Sequence, residues 1–131
     1  YTSVFPSTKV LPGNSIPRGE VNKLISAGIV GANEEILYFY SDDGFSVTRS
    51  GSVLTSSHVI TYWINEEGGK EIFEIPLEEV SDIQMVGGGS DLEDNVYQVF
   101  GKTRNEWLRL WLSPEGGGDE QFISAIKQRI D

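Results

Sequence analysis

The strongest candidate for binding chemistry is a stretch near the C-terminus in which aromatic and aliphatic side chains alternate. Trp107, Arg109 and Trp111 are separated by single leucines, so a strand here would present tryptophans and leucines on opposite faces. If the leucines fill the core, the two tryptophans and the arginine between them face outward. Trp and Arg are enriched among the side chains that dominate binding at protein interfaces. We therefore predict a binding site at Trp107, Arg109 and Trp111; the alternative is that one tryptophan packs beneath the C-terminal helix or the N-terminal segment.

The residues that could support catalysis are few and poorly spaced. His58 is the only histidine and there is no cysteine, so two-histidine metal sites, histidine relays and thiolate chemistry lack their groups. A Ser–His–Asp arrangement would have to combine His58 with Ser56 or Ser57 and with Asp42 or Asp43, but neighbouring Ser and His residues of a strand point to opposite faces. We expect His58 to be a strand histidine satisfied by hydrogen bonds or solvent. The sequence predicts no catalytic residue and no enzyme.

Acidic and glycine-rich segments do not form a recognisable metal or phosphate site. The segment Asp91–Asn95 begins with the spacing of a calcium loop, but Val96 stands where that loop needs glycine and Lys102 where it needs glutamate. At most, a weak surface cation site remains. The loop Gly87–Ser90 lacks the lysine and the following helix of a phosphate-binding loop. We therefore predict no metal and no cofactor.

Composition excludes several classes of partner. The 131 residues carry a formal net charge of -10, which repels nucleic acids and anionic membrane surfaces, although solubility alone explains such a charge. Disulfides are excluded by the absence of cysteine, and no apolar run approaches the roughly 20 residues of a membrane-spanning helix. We expect a soluble domain, with a cytoplasmic location favoured over an extracytoplasmic one.

A hydrophobic period of two through the middle of the chain predicts antiparallel strands between two helices. Pro17 suits the first position of a short helix that Gly31 would end, and a second amphipathic helix is predicted over Asp119–Ile130. Turns are predicted at Asp42–Gly44, Ser50-Gly51 and Glu66–Gly69. The predicted strands are Ile36–Tyr40, Phe45–Thr48, Ser52–Thr55, His58–Asn65, Lys70–Ile75, Val80–Val86, Asn95–Gly101 and Trp107–Leu112.

These elements favour a mainly β fold in which one helix closes a bent sheet. About seven short antiparallel strands must bury one face and protect their edges. A helix of this length, about 20 Å, can plug one open end of a bent sheet but cannot cover a wide flat one. The sequence therefore predicts a half-open barrel closed by the C-terminal helix, with an extra helix at the N-terminus.

Within this pattern the chain resembles the pleckstrin-homology-like superfold, and most of all its bacterial and GRAM-type versions. The resemblance lies in the order SVLTSSHVITYW, an acidic hairpin and EIFEIPLEEVSDIQM, in which Ile75–Val80 matches a hydrophobic I-P-L-x-x-I stretch. It covers residues 33–131 as a β-barrel domain. Residues 1–32 are then an N-terminal extension with a short helix.

The resemblance implies a scaffold that binds phosphoinositides, peptides or partner proteins, and that in some cases assembles into oligomers. Lipid-binding members place Lys and Arg around the first hairpin, whereas here the matching turn, Ser41–Gly44, carries two aspartates and only Arg49 lies nearby. Phosphoinositide binding is therefore disfavoured. We predict a non-catalytic binding or assembly module for protein partners, including self-association. The alternative is a membrane-associated domain for lipids or small molecules.

Overall fold

The computed structural model describes residues 10–41, 50–64, 67, 69–88, 94–103 and 105–130. Two α-helices, α1 (Arg18–Ser26) and α2 (Gly118–Lys127), flank most of the sheet structure. Three single turns of 3-10 helix, at Gly13–Ser15, Leu77–Glu79 and Glu115–Gly117, join longer elements. The strands are β1 (Leu11–Pro12), β2 (Ile36–Tyr40), β3 (Ser50–Thr55), β4 (His58–Ile64), β5 (Lys70–Pro76), β6 (Val80–Gly87), β7 (Asn95–Gly101) and β8 (Trp107–Leu112).

The strands form two antiparallel sheets. Sheet A has the order β1-β2-β3-β4-β5, and sheet B has the order β6-β7-β8. The predicted mainly β architecture with a C-terminal helix is confirmed. No ladder joins the two sheets within the described ranges, so the predicted half-open barrel is two packed sheets that are not closed into a barrel.

The main core lies between the two sheets, where α2 covers it. Leu54, Val59 and Ile75 form a buried cross-strand row on one face of sheet A, which we call the inner face. Alternating leucines of β8 belong to the same cluster, as do Phe122 and Ile126 of α2, which are fully buried. The helix thus closes the core to which both sheets contribute, as its amphipathic pattern predicts.

The opposite, outer face of sheet A is covered by the N-terminal segment. Leu24 of α1 and the following Ile29 pack in one cluster with Val53 and Ile60 of the sheet. Val10 belongs to the main core, and the neighbouring Leu11 pairs with β2. The boundary predicted between residues 32 and 33 stays a prediction, although the residues on its N-terminal side share both cores with the sheet.

Helix α1 ends three residues earlier than its sequence pattern predicts. Gly28 has a φ of 78°, a left-handed conformation that glycine adopts without steric cost. Its N–H donates to the Ile25 carbonyl, and the Ile29 N–H donates to the Leu24 carbonyl, each at 3.0 Å. These bonds form a Schellman motif that stops the helix at Gly28 rather than Gly31. At the other end, Pro17 lies one residue before the helix instead of at its first position.

The predicted turn at Ser50-Gly51 is wrong, because both residues lie inside β3. Gly51 pairs with Tyr62 of β4, and a Cβ atom at Gly51 would lie only 2.8 Å from the Tyr62 hydroxyl. Because Gly51 has no side chain, the buried Tyr62 ring can lie over β3 at this position. Packing of an aromatic ring over a glycine of the neighbouring strand stabilises sheets. The predicted strand Phe45–Thr48 and the turn before it lie outside the described residues.

A buried carboxylate fixes the start of α2 on sheet B. Asp119 accepts hydrogen bonds from Asn95 Nδ2 at 2.8 Å and from the Tyr97 hydroxyl at 2.7 Å. All three residues are buried. Because buried polar groups are costly unless they are paired, this network specifies one position for the helix N-terminus.

Alkaline pH is expected to destabilise the fold through Tyr97. Burial, together with the hydrogen bond to Asp119 and its negative charge, raises the pKa of Tyr97 above its ordinary value of 10.0. Above pH 10.0 the folded state keeps a proton that the unfolded chain releases. The stabilisation that the protonated Tyr97 provides is therefore complete below pH 10.0. It is lost by about 1.4 kcal/mol per pH unit as the pH rises further.

Urea unfolding of Tyr97→Phe tests this expectation. The variant should be less stable than the natural protein at neutral pH, because it lacks the hydrogen bond to Asp119. Its free energy of unfolding should fall less steeply above about pH 10. Tyr38→Phe removes a tyrosine hydroxyl outside the Asp119 network and serves as the matched control. Equal slopes in all three proteins would contradict the role given to Tyr97.

Candidate binding groove

The inner face of sheet A extends beyond the part that sheet B covers. The buried row Leu54–Val59–Ile75 is followed along the strands by a second row, Ser52–Thr61–Phe73, and a third, Ser50–Trp63–Glu71. Side chains two residues apart on a strand share a face, so all three rows point to the same side. Only the first row is completely covered, and Phe73 and Trp63 are 52% and 55% exposed.

Strand β8 forms the wall beside this uncovered surface. It is the edge strand of sheet B and contacts β3, β4 and β5. Its leucines are buried, whereas Trp107 and Trp111 are 51% and 46% exposed. The predicted alternation of β8 is thus observed, and neither tryptophan is buried.

Two contacts orient the side chain of Arg109 on β8. Its Nε donates to Gln98 Oε1 of the neighbouring strand at 3.2 Å. Its guanidinium carbon lies 5.7 Å from the centroid of the Trp107 ring, within the range of a cation–π contact. Arg109 forms no ion pair with any residue of the described part of the chain, so the terminal guanidinium nitrogens can bind a ligand.

The two uncovered rows of sheet A form the floor of a cleft of about 790 Å³, and β8 forms its wall. We call this cleft the aromatic groove. This volume lies within the range of about 300–1,000 Å³ that is typical of ligand pockets. The structure therefore brings all three predicted residues into one groove, together with floor residues that the sequence analysis missed. The groove is lined by Tyr40, Ser50, Gly51, Ser52, Thr61, Tyr62, Trp63, Glu71, Phe73, Asn105, Trp107, Leu108, Arg109 and Trp111.

A second polar cluster surrounds His58, where the sequence analysis expected opposite orientations. Ser57 lies in a bend before β4 rather than in the strand, and its hydroxyl is 2.9 Å from His58 Nδ1. Glu34 Oε2 accepts hydrogen bonds from Ser57 at 2.6 Å and from Thr55 at 2.5 Å, and lies 3.2 Å from the same histidine nitrogen. A catalytic triad requires serine and carboxylate on different ring nitrogens. This cluster instead ties the segment before β2 to the β3–β4 turn, which agrees with the hydrogen-bonded histidine expected from the sequence.

Acid is expected to weaken this link through Glu34. Partial burial acts to raise the pKa of Glu34, but hydrogen bonds from Ser57, Thr55, the Gly31 N–H and His58 outweigh it and lower the pKa from 4.5 to about 2. The folded-state pKa is depressed, so the contribution to stability is present above 4.5 and is lost as the pH falls through about 2.

The variant Glu34→Gln should be less stable by about 1–2 kcal/mol at neutral pH, because it loses charge-assisted hydrogen bonds. Its stability should also depend less on pH below 4.5. Glu35→Gln removes the same charge at an exposed neighbouring residue and serves as the control. Urea unfolding at several pH values measures both effects. If Glu34→Gln and Glu35→Gln behave alike, Glu34 does not hold this turn.

Other predicted sites fall partly or wholly outside the described residues. The turn Asp42–Gly44, Arg49 and the acidic residues of the Asp91–Asn95 segment before Asp94 are among them. Within the described ranges, no group of three acidic or histidine side chains is placed to hold a metal ion. In the same ranges, no helix has the length and apolar character needed to cross a membrane.

Comparison with solved structures identifies the fold. A DUF1696 family protein with a pleckstrin-homology domain from Shewanella loihica PV-4 matches 90% of this chain over 93% of its own, with 17% identity and a TM-score of 0.58. A pleckstrin-homology domain from Shewanella amazonensis SB2B matches 86% of this chain over 97% of its own, with 22% identity and a TM-score of 0.54. No model of a protein family matches the chain, and no curated protein matches its sequence. At these identities the likeness concerns architecture, and the GRAM-type relationship stays a prediction. The chain therefore has the pleckstrin-homology-like fold of these bacterial domains.

Proposed function

We propose that this chain is a non-catalytic binding module that recognises a partner protein through the aromatic groove. One observation carries the proposal. Six large apolar side chains are exposed in the described part of the chain, and four of them line this groove: Trp63, Phe73, Trp107 and Trp111. Exposed apolar groups gathered in one place are typical of interaction sites, whereas scattered ones are not. The fold is compatible with a binding role.

The chemistry of the groove favours a protein over a lipid phosphate. Among the described residues that line it, Arg109 is the only cation and Glu71 the only carboxylate. Recognition of a phosphoinositide needs several Lys and Arg side chains on one headgroup. The net charge of -10 further opposes an anionic membrane. Trp and Arg, by contrast, are the side chains most typical of protein-binding hot spots.

Selection from a phage-displayed library of random linear peptides tests the proposal. A groove variant, Trp107→Ser/Trp111→Ser, removes two exposed aromatic side chains from the wall. A matched control, Met85→Ser/Val86→Ser, removes two apolar side chains of similar exposure from β6, and neither residue lines the groove. We expect peptides that bind the natural protein and the control but not the groove variant.

Three outcomes would overturn the proposal. The first is a library that yields no binder, and the second is a set of binders that the groove variant retains. The third is salt-sensitive sedimentation of the protein with phosphatidylserine vesicles in the absence of any peptide binder, which would favour the lipid-binding alternative. Sedimentation velocity without peptide tests self-association. A dimer that the groove variant abolishes would identify the partner protein as a second copy of the chain.

A further inference from the structure

We propose that the partner contributes an extended segment that adds as an antiparallel strand to the edge of β8 that faces away from β7, with an acidic side chain opposite Arg109. This inference rests on the proposed function and specifies how the aromatic groove is occupied. It follows from three features: the direction of the main-chain groups of β8, the Arg109 guanidinium, which forms no ion pair within the described residues, and the apolar floor.

The main-chain groups of alternate β8 residues point into the groove. In an antiparallel ladder, residues whose N–H and C=O bond the neighbouring strand alternate with residues whose groups point away from it. The Gly101 N–H donates to the Glu106 carbonyl, so Glu106 and every second residue after it face β7. Trp107, Arg109 and Trp111 must then direct their main-chain groups to the open side.

A second contact supports this orientation independently. The Ser52 hydroxyl donates to the Trp111 carbonyl at 3.4 Å across the gap between the sheets. The Trp111 carbonyl therefore points away from β7 and toward the inner face of sheet A. Within the described residues no main-chain partner occupies the same side of Trp107 or Arg109. An edge with unpaired donors and acceptors is the structure to which peptides add by strand addition.

Arg109 gives this edge a preference for one charge. Gln98 and the Trp107 ring already orient the guanidinium, so little side-chain entropy remains to be lost on binding. The planar fork of an arginine matches a carboxylate with two parallel hydrogen bonds. Opposite charges that face each other across two strands stabilise their pairing. An acidic residue directly opposite Arg109 satisfies both conditions.

The floor and the overall charge define the remainder of the segment. Side chains of an added strand alternate between the face of Arg109 and the face of Phe73 and Trp63, so alternate residues should be apolar. The net charge of -10 repels a uniformly acidic segment and a second copy of this chain. The segment should therefore carry one acidic residue among neutral or basic ones. It should belong to a different protein.

A synthetic peptide of this pattern, Ac-Lys-Thr-Val-Asp-Val-Thr-Lys-NH2, provides the test. Its Asp and Thr side chains would share the face of Arg109, and its Val side chains would face the floor. All three tryptophans of the chain line the groove, so intrinsic tryptophan fluorescence reports binding there directly. We expect saturable binding, weakened about tenfold when Asp is replaced by Asn.

N-methylation separates strand addition from other modes of binding. In the antiparallel register, the amide of the peptide Asp bonds β8, whereas the amides of the two Val residues point away. N-methylation at Asp should weaken binding about tenfold or more, and N-methylation at either Val should leave affinity within about twofold. The protein variant Arg109→Glu should reverse the charge preference and bind the peptide with Lys in place of Asp.

The outcomes distinguish this inference from the proposed function. If library peptides bind the groove but N-methylation at Asp and at Val have equal effects, or Arg109→Glu keeps the natural preference, strand addition is wrong while the proposed function stands. No fluorescence response to the synthetic peptide also overturns strand addition. Fluorescence that changes with protein concentration alone would replace the heterologous segment with a second copy. If neither the peptide nor any library member binds, the proposed function fails as well.

Discussion

Replacing Ile126 with alanine is expected to lower the free energy of unfolding by about 2–5 kcal/mol, the usual range for a large aliphatic side chain removed from a close-packed core. Ile126 is fully buried and belongs to the cluster that contains residues of both sheets and of α2. A loss of this size is a large part of the roughly 5–15 kcal/mol that stabilises a typical domain. The midpoint of urea unfolding, at an unchanged slope, measures it.

The control for this prediction is Gln121→Ala on the exposed side of the same helix. Alanine is a good helix former, so this change should alter stability by less than about 0.5 kcal/mol. A truncated chain that ends before Gly118 should lose cooperative unfolding, because Phe122 and Ile126 leave the core together. A truncated protein that still melts cooperatively, or an Ile126→Ala variant as stable as Gln121→Ala, would show that α2 does not close the core.

The groove variant Trp107→Ser/Trp111→Ser is expected to lose binding without losing stability. Hot-spot side chains each contribute about 2 kcal/mol or more, so the two replacements together should weaken peptide binding by roughly a thousandfold. Both tryptophans are about half exposed and belong to neither buried core cluster, so their replacement should leave the fold intact. Isothermal titration calorimetry with a selected peptide and thermal melting measure the two effects.

The variant Met85→Ser/Val86→Ser gives the matched comparison. It should keep both the affinity and the melting temperature, because Met85 and Val86 are exposed on β6 and do not line the groove. Equal losses of affinity in the two double variants would mean that exposed apolar surface anywhere on the chain supports binding. A groove variant that melts much earlier than the control would mean that the tryptophans support the fold instead.

The wall of the groove could be predicted from the sequence, because it depends on one strand. The alternation of tryptophan and leucine in Trp107–Leu112 determines which side chains face the core, and the observed bounds of that strand agree with the prediction. Strand Asn95–Gly101 was predicted with its observed bounds for the same reason. Local periodicity is the strongest structural signal that a sequence carries.

The floor could not be predicted, because it depends on how far one sheet overlaps the other. Alternation along the predicted strand His58–Asn65 puts Trp63 on the same face as Val59, but Val59 is buried and Trp63 is exposed. The difference arises from the position at which β8 crosses sheet A. A local sequence pattern carries no information about that position. The sequence did contain one usable signal. On the face of β4 that carries the buried Val59, the polar Thr61 is followed by the large aromatic Trp63, so the apolar core ends before Trp63.

Long-range hydrogen bonds account for the other differences. The contact between Glu34 and His58 joins residues 24 positions apart, and the opposite orientation expected for Ser57 and His58 was wrong because Ser57 lies in a bend. The turn predicted at Ser50-Gly51 was wrong because the glycine accommodates the Tyr62 ring of another strand. In each case a tertiary contact outweighed a local preference.

Nuclear magnetic resonance of the three tryptophan indole groups tests the binding groove most directly. Trp63, Trp107 and Trp111 are the only tryptophans of the chain and lie on its floor and wall, so a ¹⁵N-labelled protein gives one indole signal for each. Titration with a selected peptide should shift all three signals along one saturation curve. Saturable binding that leaves the indole signals in place, while amide signals elsewhere such as those of Met85 and Val86 shift, would contradict a partner site in the groove.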